Sequence, residues 1–352
     1  MRSDVFTEHA WRNRIDSGGG MRREVWLLLD SRGVGGIETH VAELAVGLAA
    51  AGELPRVLFL ADYGPHPMHE RLARAGLCWE TLDGGLPGLV RRLKRDRPRV
   101  LHTHGYKANI LGRVAALLAG VPVIASYHAG ERPPGRLAAY LLIDRWTSFL
   151  GKRIAVSRQI LASLPFGGVL VPNFVAVPAG PPCTGPETIG FVGRMLPDKG
   201  PDRFCDIAAR LPGGRFVAYG DGPMRAQIER DGGRVSFKGA VSGMDDAWSS
   251  IGLLVISSRA EGLPLAALEA MAHGVPVAAF ALGGLPELIE NDRNGYLAPP
   301  DDVAALSACV ARWMALDAAG RDAIGRAAWQ TVTARYGQAA GVAAIRALYP
   351  AG

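Results

Sequence analysis

The sequence predicts an α/β protein built from two doubly wound, Rossmann-like parallel sheets. Three observations carry that expectation. Short apolar runs alternate with amphipathic helical stretches from residue 21 onward, and the runs are apolar on both faces, as strands covered by helices on two sides must be. The alternation stops in a Pro/Gly-rich stretch, Val171 to Glu187, that has no period and reads as a linker, and it restarts beyond it. A length of 352 residues also fits two domains better than one.

The first 20 residues are polar, end in Gly18-Gly19-Gly20 and lack an apolar signal core, so residues 1–20 read as a flexible leader with the fold beginning near Met21. In the first domain, residues 21–178, the strand candidates are Val25–Leu29, Arg56–Leu60, Val100–His102, Val121–Ala125 and Ile154–Val156. Helices such as Glu38–Ala50 and Lys107–Leu118 fill the gaps. In the second, residues 179–336, they are Thr188–Val192, Arg215–Tyr219, Val235–Lys238, Leu253–Ile256 and Val277–Ala279. The last helices, Ala304–Leu316 and Arg321–Tyr349 with a break near Gly337, precede no strand. The segment 337–352 is expected to pack back on the first domain. Sheets of this kind bind ligands beyond the carboxyl ends of their strands, so a cleft between the domains is where chemistry is expected.

The charge is uneven. Residues 1–180 hold 23 Lys/Arg and 15 Asp/Glu, a net of +8, whereas residues 181–352 hold 16 and 18, a net of −2. The basic half is expected to meet something anionic. The densest segment is Gly88 to Val100, with Arg91, Arg92, Lys94, Arg95, Arg97 and Arg99 beside the apolar spacing Leu86, Leu89, Val90 and Leu93. It reads either as a solvated outer face or as a contact for an anionic membrane surface. Cys78, Cys183, Cys205 and Cys309 show no metal-type spacing and read as reduced thiols of a cytoplasmic protein. No apolar run approaches the roughly 20 residues of a membrane helix.

Chemistry-bearing residues cluster after strands. In "GFVGRMLPDKG", Gly193 permits close backbone approach, and Arg194 and Lys199 stand at the mouth of the sheet. A planar fork beside a point charge suits a diphosphate, although each alone reads as a surface cation. In "ISSRAEGLPLAALEAMAHG", Glu261 follows a strand and Pro264 marks a helix start. Free N–H groups around Leu263 and Leu265 would attract phosphate. Glu269, about one and a half turns in, could reach the hydroxyls of a ribose. Two acids so near a phosphate site make sense if they touch sugar, or else as surface helix residues.

In the first domain "SRGVGGIETH" follows the first strand. Its glycines at 33, 35 and 36 lack the dinucleotide spacing, and no Gly-x4-Gly-Lys phosphate loop is present. Such a turn serves packing or ligand approach. His104 and His128 end strands and point either to the ligand crevice or into packing.

In this order the motifs resemble the retaining glycosyltransferases of family 4, whose GT-B fold sets two Rossmann-like domains face to face. The pieces are "GGIETHVAELA", "LHTHGYKAN", "IAVS", "VPNFV", "FVGRMLPDKG", "YGDGP", "FKGAV", "SSRAEGLPLAALEAMAHGVPVAA", "GGLPELI" and "NGYLAPPDD". The most specific is the pair of glutamates eight positions apart. The resemblance implies transfer of a sugar from a nucleoside-diphosphate donor, UDP- or GDP-linked, to a glycan or lipid-linked acceptor in cell-surface polysaccharide or lipopolysaccharide assembly. It implies that Glu261 lies against the transferred sugar, Glu269 holds the ribose, and Arg194 and Lys199 carry the diphosphate. Backbone at Gly35 and Gly36, at Gly262, Leu263 and Leu265, and at Gly283 and Gly284 would add donors. The base would lie against Lys238 and Gly239, His104 near the donor sugar, and His128 beside it. The leaving phosphate would take the acceptor's proton, so no protein nucleophile is needed.

No cofactor is expected. Asp245-Asp246 and Asp301-Asp302 are adjacent rather than spaced as Asp-x-Asp, so metal-independent transfer follows, with fixed cations stabilising the leaving group. Nucleic acid is not an expected partner. The rival readings are an epimerase or phosphorylase on a similar fold, and a non-catalytic binding protein. An epimerase does not need the two glutamates, and a pyridoxal phosphorylase would need a further lysine where the second domain has only Lys199 and Lys238.

Overall fold

The structure, a computed structural model, describes residues 24–33, 35–128, 136–179, 186–231, 233–241 and 244–351. The expected leader 1–20 and Cys183 lie outside these residues. The chain divides into two compact units, residues 1–172 with 338–352, and residues 173–337. The division falls six residues before the break expected at 178/179. The reason is local. Phe174 and Val175 are buried, and the Val175 N–H donates to the Tyr336 carbonyl (3.0 Å), so the start of the linker belongs to the second unit.

The first unit is a seven-stranded parallel sheet in the order β3-β2-β1-β4-β5-β6-β7. Its strands are β1 Val25–Leu29, β2 Pro55–Phe59, β3 Cys78–Thr81, β4 Val100–His104, β5 Val123–Tyr127, β6 Lys152–Ala155 and β7 Val169–Leu170. Helices Gly36–Ala50, Gly85–Asp96 and Tyr106–Ala119 cross between them. β1, β4 and β5 are buried along their whole length, as their two-faced apolar runs require. The carboxyl-terminal helix Gln338–Arg346 packs on helix Gly36–Ala50. Gln338 Nε2 donates to the Glu43 carbonyl (2.9 Å), and Val342 occupies the space where Gly47 lacks a side chain. The break expected near Gly337 is present, with helices Ala318–Arg335 and Gln338–Arg346 separated at Tyr336–Gly337.

The second unit is a six-stranded parallel sheet in the order β10-β9-β8-β11-β12-β13. Here β8 is Thr188–Val192, β9 Arg215–Tyr219, β10 Val235–Gly239, β11 Leu253–Ile256, β12 Val277–Phe280 and β13 Gly295–Ala298. Its core is lined by Phe191, Phe204, Phe216, Phe280 and Trp313. In both sheets the strand order reverses beside the first strand of the unit, between β1 and β4 and between β8 and β11. Those are the points where the connecting helices leave to opposite sides and open a crevice at the carboxyl edge. The two units are therefore α/β sheets of the expected kind, each with its own switch point.

The basic helix is Gly85–Asp96, and its cations have more partners than the local sequence offers. Arg92 pairs with Glu80 of β3 (3.0 Å) and with Asp96, Arg95 with Asp96 (2.6 Å), and Arg99 with Glu53 (2.9 Å). Arg97 donates to the Ala119 carbonyl. Leu89 and Leu93 are fully buried, so the apolar stripe packs on the sheet.

Candidate functional site

At the β8/β11 switch point two loops are stitched together. The loop after β8 carries Gly193 and the exposed Arg194, then a short 3-10 turn, Pro197–Lys199, that ends at Gly200. Gly200 has φ +63°, and a side chain on it would lie 2.2 Å from the Ser257 carbonyl oxygen, so only glycine lets this loop touch the end of β11. Ser257 Oγ donates to the Gly200 carbonyl (2.7 Å), and the Arg259 N–H donates to the Asp198 carbonyl (2.7 Å). The contact delivers Lys199 to Glu261, Nζ to Oε1 at 2.9 Å. Ser258 Oγ donates to the same Glu261 oxygen at 2.6 Å. Glu261 is 8% exposed, a nearly buried carboxylate held by one cation and one hydroxyl. Paired charges are the form in which such burial is tolerated.

Directly after Glu261 the chain turns through Gly262 and Leu263 into the helix Leu265–Ala272. Pro264 stands at the N-cap rather than at the first helical position and has no side-chain acceptor to offer, so the helix opens on uncapped N–H groups. Glu269 lies on this helix, half-buried. Asn173, itself buried, donates to the Leu263 carbonyl (2.7 Å) and steadies the turn.

Gly283 and Gly284 serve that turn from behind. Gly283 has φ +57°, a side chain on it would lie 2.1 Å from the Gly262 oxygen, and the Gly284 N–H donates to that same carbonyl. The expectation that Gly284 offers its N–H to a ligand is therefore corrected: that donor already supports the Glu261 loop. Lys238 is exposed on β10. Gly239 is buried, and its carbonyl accepts from the Gly220 N–H (2.8 Å).

At the β1/β4 switch point the glycine-rich loop leads into helix Gly36–Ala50, with Gly35 at an N-cap that has no side chain. A side chain placed at Gly33 or Gly36 would meet no described residue within 4 Å, so packing among the described residues does not demand glycine there. The loop keeps open space before an uncapped helix.

His104 ends β4, and its Nδ1 shares a hydrogen bond with His128 Nε2 (3.2 Å). His40, from the first turns of helix Gly36–Ala50, completes a triad. Its ring centroid lies 4.6 Å from that of His128 and 5.7 Å from that of His104. One ring nitrogen of each lies within 4.8 Å of the others, a spacing that could hold a cation. His104 Nε2 is buried and makes no hydrogen bond with any described residue.

Next along β4, His102 contacts the His104 ring at 4.3 Å. It bonds through Nε2 to Ser126 Oγ (2.8 Å) and through Nδ1 to Tyr349 Oη (2.9 Å), which ties the chain's end to the sheet. Burial, reinforced by the neighbouring imidazoles, holds His40 and His104 well below the ordinary histidine range and His102 down to about 3. These rings are neutral at pH 7, so they act as hydrogen-bonding and lone-pair groups rather than as cations.

The sequence-picked residues thus fall into two clusters. Lys199, Glu261, Gly262 and the helix bearing Glu269 stand together with Gly193 and Arg194 at one switch point. Gly35, Gly36, His104 and His128 stand together at the other. Sequence reasoning missed His40, Ser258, Asn173 and His102. His40 was hidden inside an amphipathic helix pattern, and Ser258 and Asn173 were passed over within motifs recognised as wholes.

Two family models match the chain, Glycosyltransferase Family 4 over residues 34–169 and Glycosyl transferases group 1 over residues 186–315. Among curated proteins, the sulfoquinovosyl transferase SQD2 of Arabidopsis thaliana is 27% identical over 74% of this chain, a match spanning 58% of the plant protein. The 2-deoxystreptamine N-acetyl-D-glucosaminyltransferase of Streptomyces fradiae is 26% identical, over 87% of this chain and 86% of its own. The phosphatidyl-myo-inositol mannosyltransferase of Mycobacterium leprae is 27% identical, over 86% of this chain and 91% of its own. Among solved structures, Anabaena HepE in complex with UDP-glucose superposes with a TM-score of 0.78 at 19% identity, covering 92% of this chain and 98% of that one.

Proposed function

The chain belongs to the family 4, group 1 glycosyltransferases, a GT-B enzyme of the hexosyl-transferring class, and from that premise we propose how its site works. The donor is a nucleoside-diphosphate sugar. Its diphosphate engages Arg194, Lys199 and the uncapped start of helix Leu265–Ala272, its sugar lies against Glu261, and its ribose against Glu269. The acceptor is a glycan or a lipid-linked glycan. The acceptor hydroxyl attacks the anomeric carbon on the face the diphosphate leaves, and its proton passes to the departing phosphate oxygen, so configuration is retained.

The observation that carries this reading is the Lys199–Glu261 pair at the β8/β11 switch point. The pair is a resting arrangement: it keeps a partly exposed cation aligned with a nearly dry carboxylate until a ligand supplies both a phosphate for the one and hydroxyls for the other. As the sugar–phosphate bond breaks, negative charge grows on the leaving group, where Arg194, Lys199 and the helix N-terminus face it, and no divalent cation is required. His104 offers its unpartnered Nε2 toward the donor sugar. We place the enzyme in the cytoplasm, at the inner face of the cell membrane. That Cys78, Cys205 and Cys309 form no disulfide among the described residues, and the lipid named in the mannosyltransferase relative, support that placement.

The test is a thermal-shift panel of UDP, GDP and ADP with their sugars, followed by turnover with the stabilising donor in the presence of EDTA. Arg194→Ala and Lys199→Ala are expected to lower turnover by about a hundredfold or more and to weaken nucleoside-diphosphate binding with the fold intact. Unchanged nucleotide affinity in both variants overturns the diphosphate assignment, and complete loss in EDTA that Mn²⁺ restores overturns the metal-independent one.

A further inference from the structure

Four of the chain's eight histidines, His40, His102, His104 and His128, meet in one place in the first unit. Three elements bring them there. His40 comes from helix Gly36–Ala50 after β1, His102 and His104 from β4, and His128 from the residue directly after β5. His102 and His104 are two positions apart on a strand and so share a face. β5 pairs with β4 in the register that sets Ser126 opposite His104, which carries His128 to the His104 ring at a centroid distance of 5.4 Å.

Packing alone does not call for imidazoles at this point. A buried ring nitrogen without a hydrogen-bond partner costs stability that an apolar side chain in the same space would not. His102 is accounted for, because Ser126 Oγ (2.8 Å) and Tyr349 Oη (2.9 Å) take both of its nitrogens. His104 is not. It is 1% exposed, its Nδ1 shares a hydrogen bond with His128 Nε2, and its Nε2 makes none with any described residue. A buried polar atom left in that state is one a ligand would satisfy.

The three rings other than His102 converge. One ring nitrogen from each of His40, His104 and His128 lies within 4.8 Å of the other two. A tetrahedral ion with metal–nitrogen bonds of about 2.0–2.1 Å sets its ligand nitrogens about 3.3 Å apart. The rings therefore close on such an ion by roughly 1.5 Å at most, which side-chain rotation supplies while the strand ends stay fixed. Among the described residues the set contains no carboxylate and no thiolate. Mg²⁺ and Ca²⁺ take oxygen ligands, whereas nitrogen donors suit Zn²⁺ and its neighbours Co²⁺, Ni²⁺ and Cu²⁺. Neutral rings present lone pairs, the form a metal binds. Three protein ligands also leave a fourth position open, unlike the closed set of a structural zinc site.

We infer that His40, His104 and His128 form a site for a nitrogen-preferring divalent transition ion, with Zn²⁺ as the probe, and that the ion opposes donor binding. The second half rests on the proposed transferase reading, in which the His104 Nε2 faces the donor sugar. An ion in the cluster takes that imidazole for itself. It is an inhibitor and not a cofactor, in keeping with transfer that needs no metal.

The experiment uses the full chain, stripped with EDTA and dialysed. Co²⁺ should bind once per chain and give the visible absorption of a tetrahedral ion. The near-ultraviolet charge-transfer band of thiolate ligands should be absent, which separates this site from the cysteines. Zn²⁺ should displace the cobalt, as the affinity order of divalent ions requires. At about a hundredfold excess over its Kd, Zn²⁺ should raise the melting temperature of the first unit by about 5 °C or more, while Mg²⁺ leaves it in place. His40→Leu, an apolar replacement, should weaken cobalt binding about tenfold or more, since even an orienting partner of a ligand is worth about that much. His128→Gln carries the same expectation where His40→Leu does not fold. His69→Gln, at a ring stacked on Trp79 of β3, should bind like wild type. Saturating Zn²⁺ should lower wild-type turnover about tenfold, EDTA should restore it, and His40→Leu should resist Zn²⁺ relative to its own metal-free rate.

The site is overturned by absence of the cobalt spectrum, by a thiolate band, by an equal response to Mg²⁺, or by wild-type affinity in both His40→Leu and His128→Gln. Zn²⁺ that binds yet leaves turnover unchanged overturns the competition alone. Turnover that EDTA abolishes and Zn²⁺ restores overturns the inhibitory sign together with metal-independent transfer. The cobalt spectrum is read without a donor, so failure of the transferase reading leaves the test of the site in place.

Discussion

Lowering the pH from 7.5 to 5.5 is expected to cost the first unit about 4 kcal/mol of folding stability through three neutral histidines. His40, His102 and His104 are buried, and burial is the first cause that depresses each below the ordinary value of 6.5. The sign follows from proton counting. Above pH 6.5 neither state binds a proton at these rings and their stability contribution is complete. Below it the unfolded chain takes up protons that the native rings refuse, so stability falls as the pH falls through 6.5. At pH 5.5 an ordinary histidine in the unfolded chain is about nine-tenths protonated, which favours unfolding by about 1.4 kcal/mol per ring and about 4 for three. At pH 7.5 the same sum is about 0.2 kcal/mol. Asp144 works the other way, since burial, outweighing Arg113, raises it above the usual carboxylate range, so acid stabilises it; its effect belongs at lower pH.

A loss of about 4 kcal/mol is a large part of the roughly 5–15 kcal/mol that a domain possesses. Residues 173–337 contain one histidine, His273, so the effect should be confined to the first unit. Calorimetry at pH 7.5, 6.5 and 5.5 reads it directly. One transition should move down steeply with acid, with about three protons or more taken up per molecule unfolded at pH 5.5, since burial also holds His69 of the first unit below its ordinary value, while the other moves little. Uptake of less than one proton there would refute the claim that these rings stay neutral in the native protein.

Two further outcomes are expected. Glu269→Gln should weaken the free nucleotide, whereas Glu261→Gln should spare nucleotide binding and impair the nucleotide sugar, read by titration calorimetry. Wild-type affinities for both ligands in both variants would remove the division of labour. Gly200→Ala places a side chain 2.2 Å from the Ser257 oxygen at a left-handed φ of +63°, so it should destabilise the second unit by about 2–4 kcal/mol and misplace Lys199. An alanine variant with wild-type melting and turnover would show that the loop has slack.

Thr188–Val192, Arg215–Tyr219 and Leu253–Ile256 are visible in the sequence residue for residue, because each is a short apolar run closed by a glycine or a polar turn. Cys78–Thr81, Val169–Leu170 and Gly295–Ala298 are not. The first two sit at or next to a sheet edge and are at most half-buried for most of their length, and the third opens on glycine, so none shows a two-faced apolar pattern. The strand expected over Val121–Ala125 begins two residues later, after Pro122, which has no N–H to give to a ladder. The site was legible as residue types and as places after strands. Its pairings were not, because Lys199 and Glu261 are 62 positions apart and meet only through the contact of Gly200 with β11. The partners of the basic segment were not legible for the same reason, since Glu80 reaches Arg92 and Glu53 reaches Arg99 from other elements.

Glycines near the two switch points divide by what surrounds them, and the division bears on where a ligand goes. Gly200 and Gly283 are pressed against backbone oxygens of the β11 loop and are consumed in building the seat of Glu261. Among the described residues, a side chain at Gly33 or Gly36 would meet nothing within 4 Å, and one at Gly193 would meet only ring atoms of Phe191 at ordinary contact distance. Packing explains the first group and leaves the second unexplained. The unexplained glycines flank the groups that carry charge or uncapped N–H donors, Arg194 in the second unit and the start of helix Gly36–Ala50 in the first. A side chain at any of them would cost the fold little, yet on the proposed reading it would fill room that a diphosphate or a sugar needs to reach the backbone. The expected signature of that role is a small substitution that leaves the melting temperature in place and raises KM for the donor, the reverse of what Gly200→Ala should do.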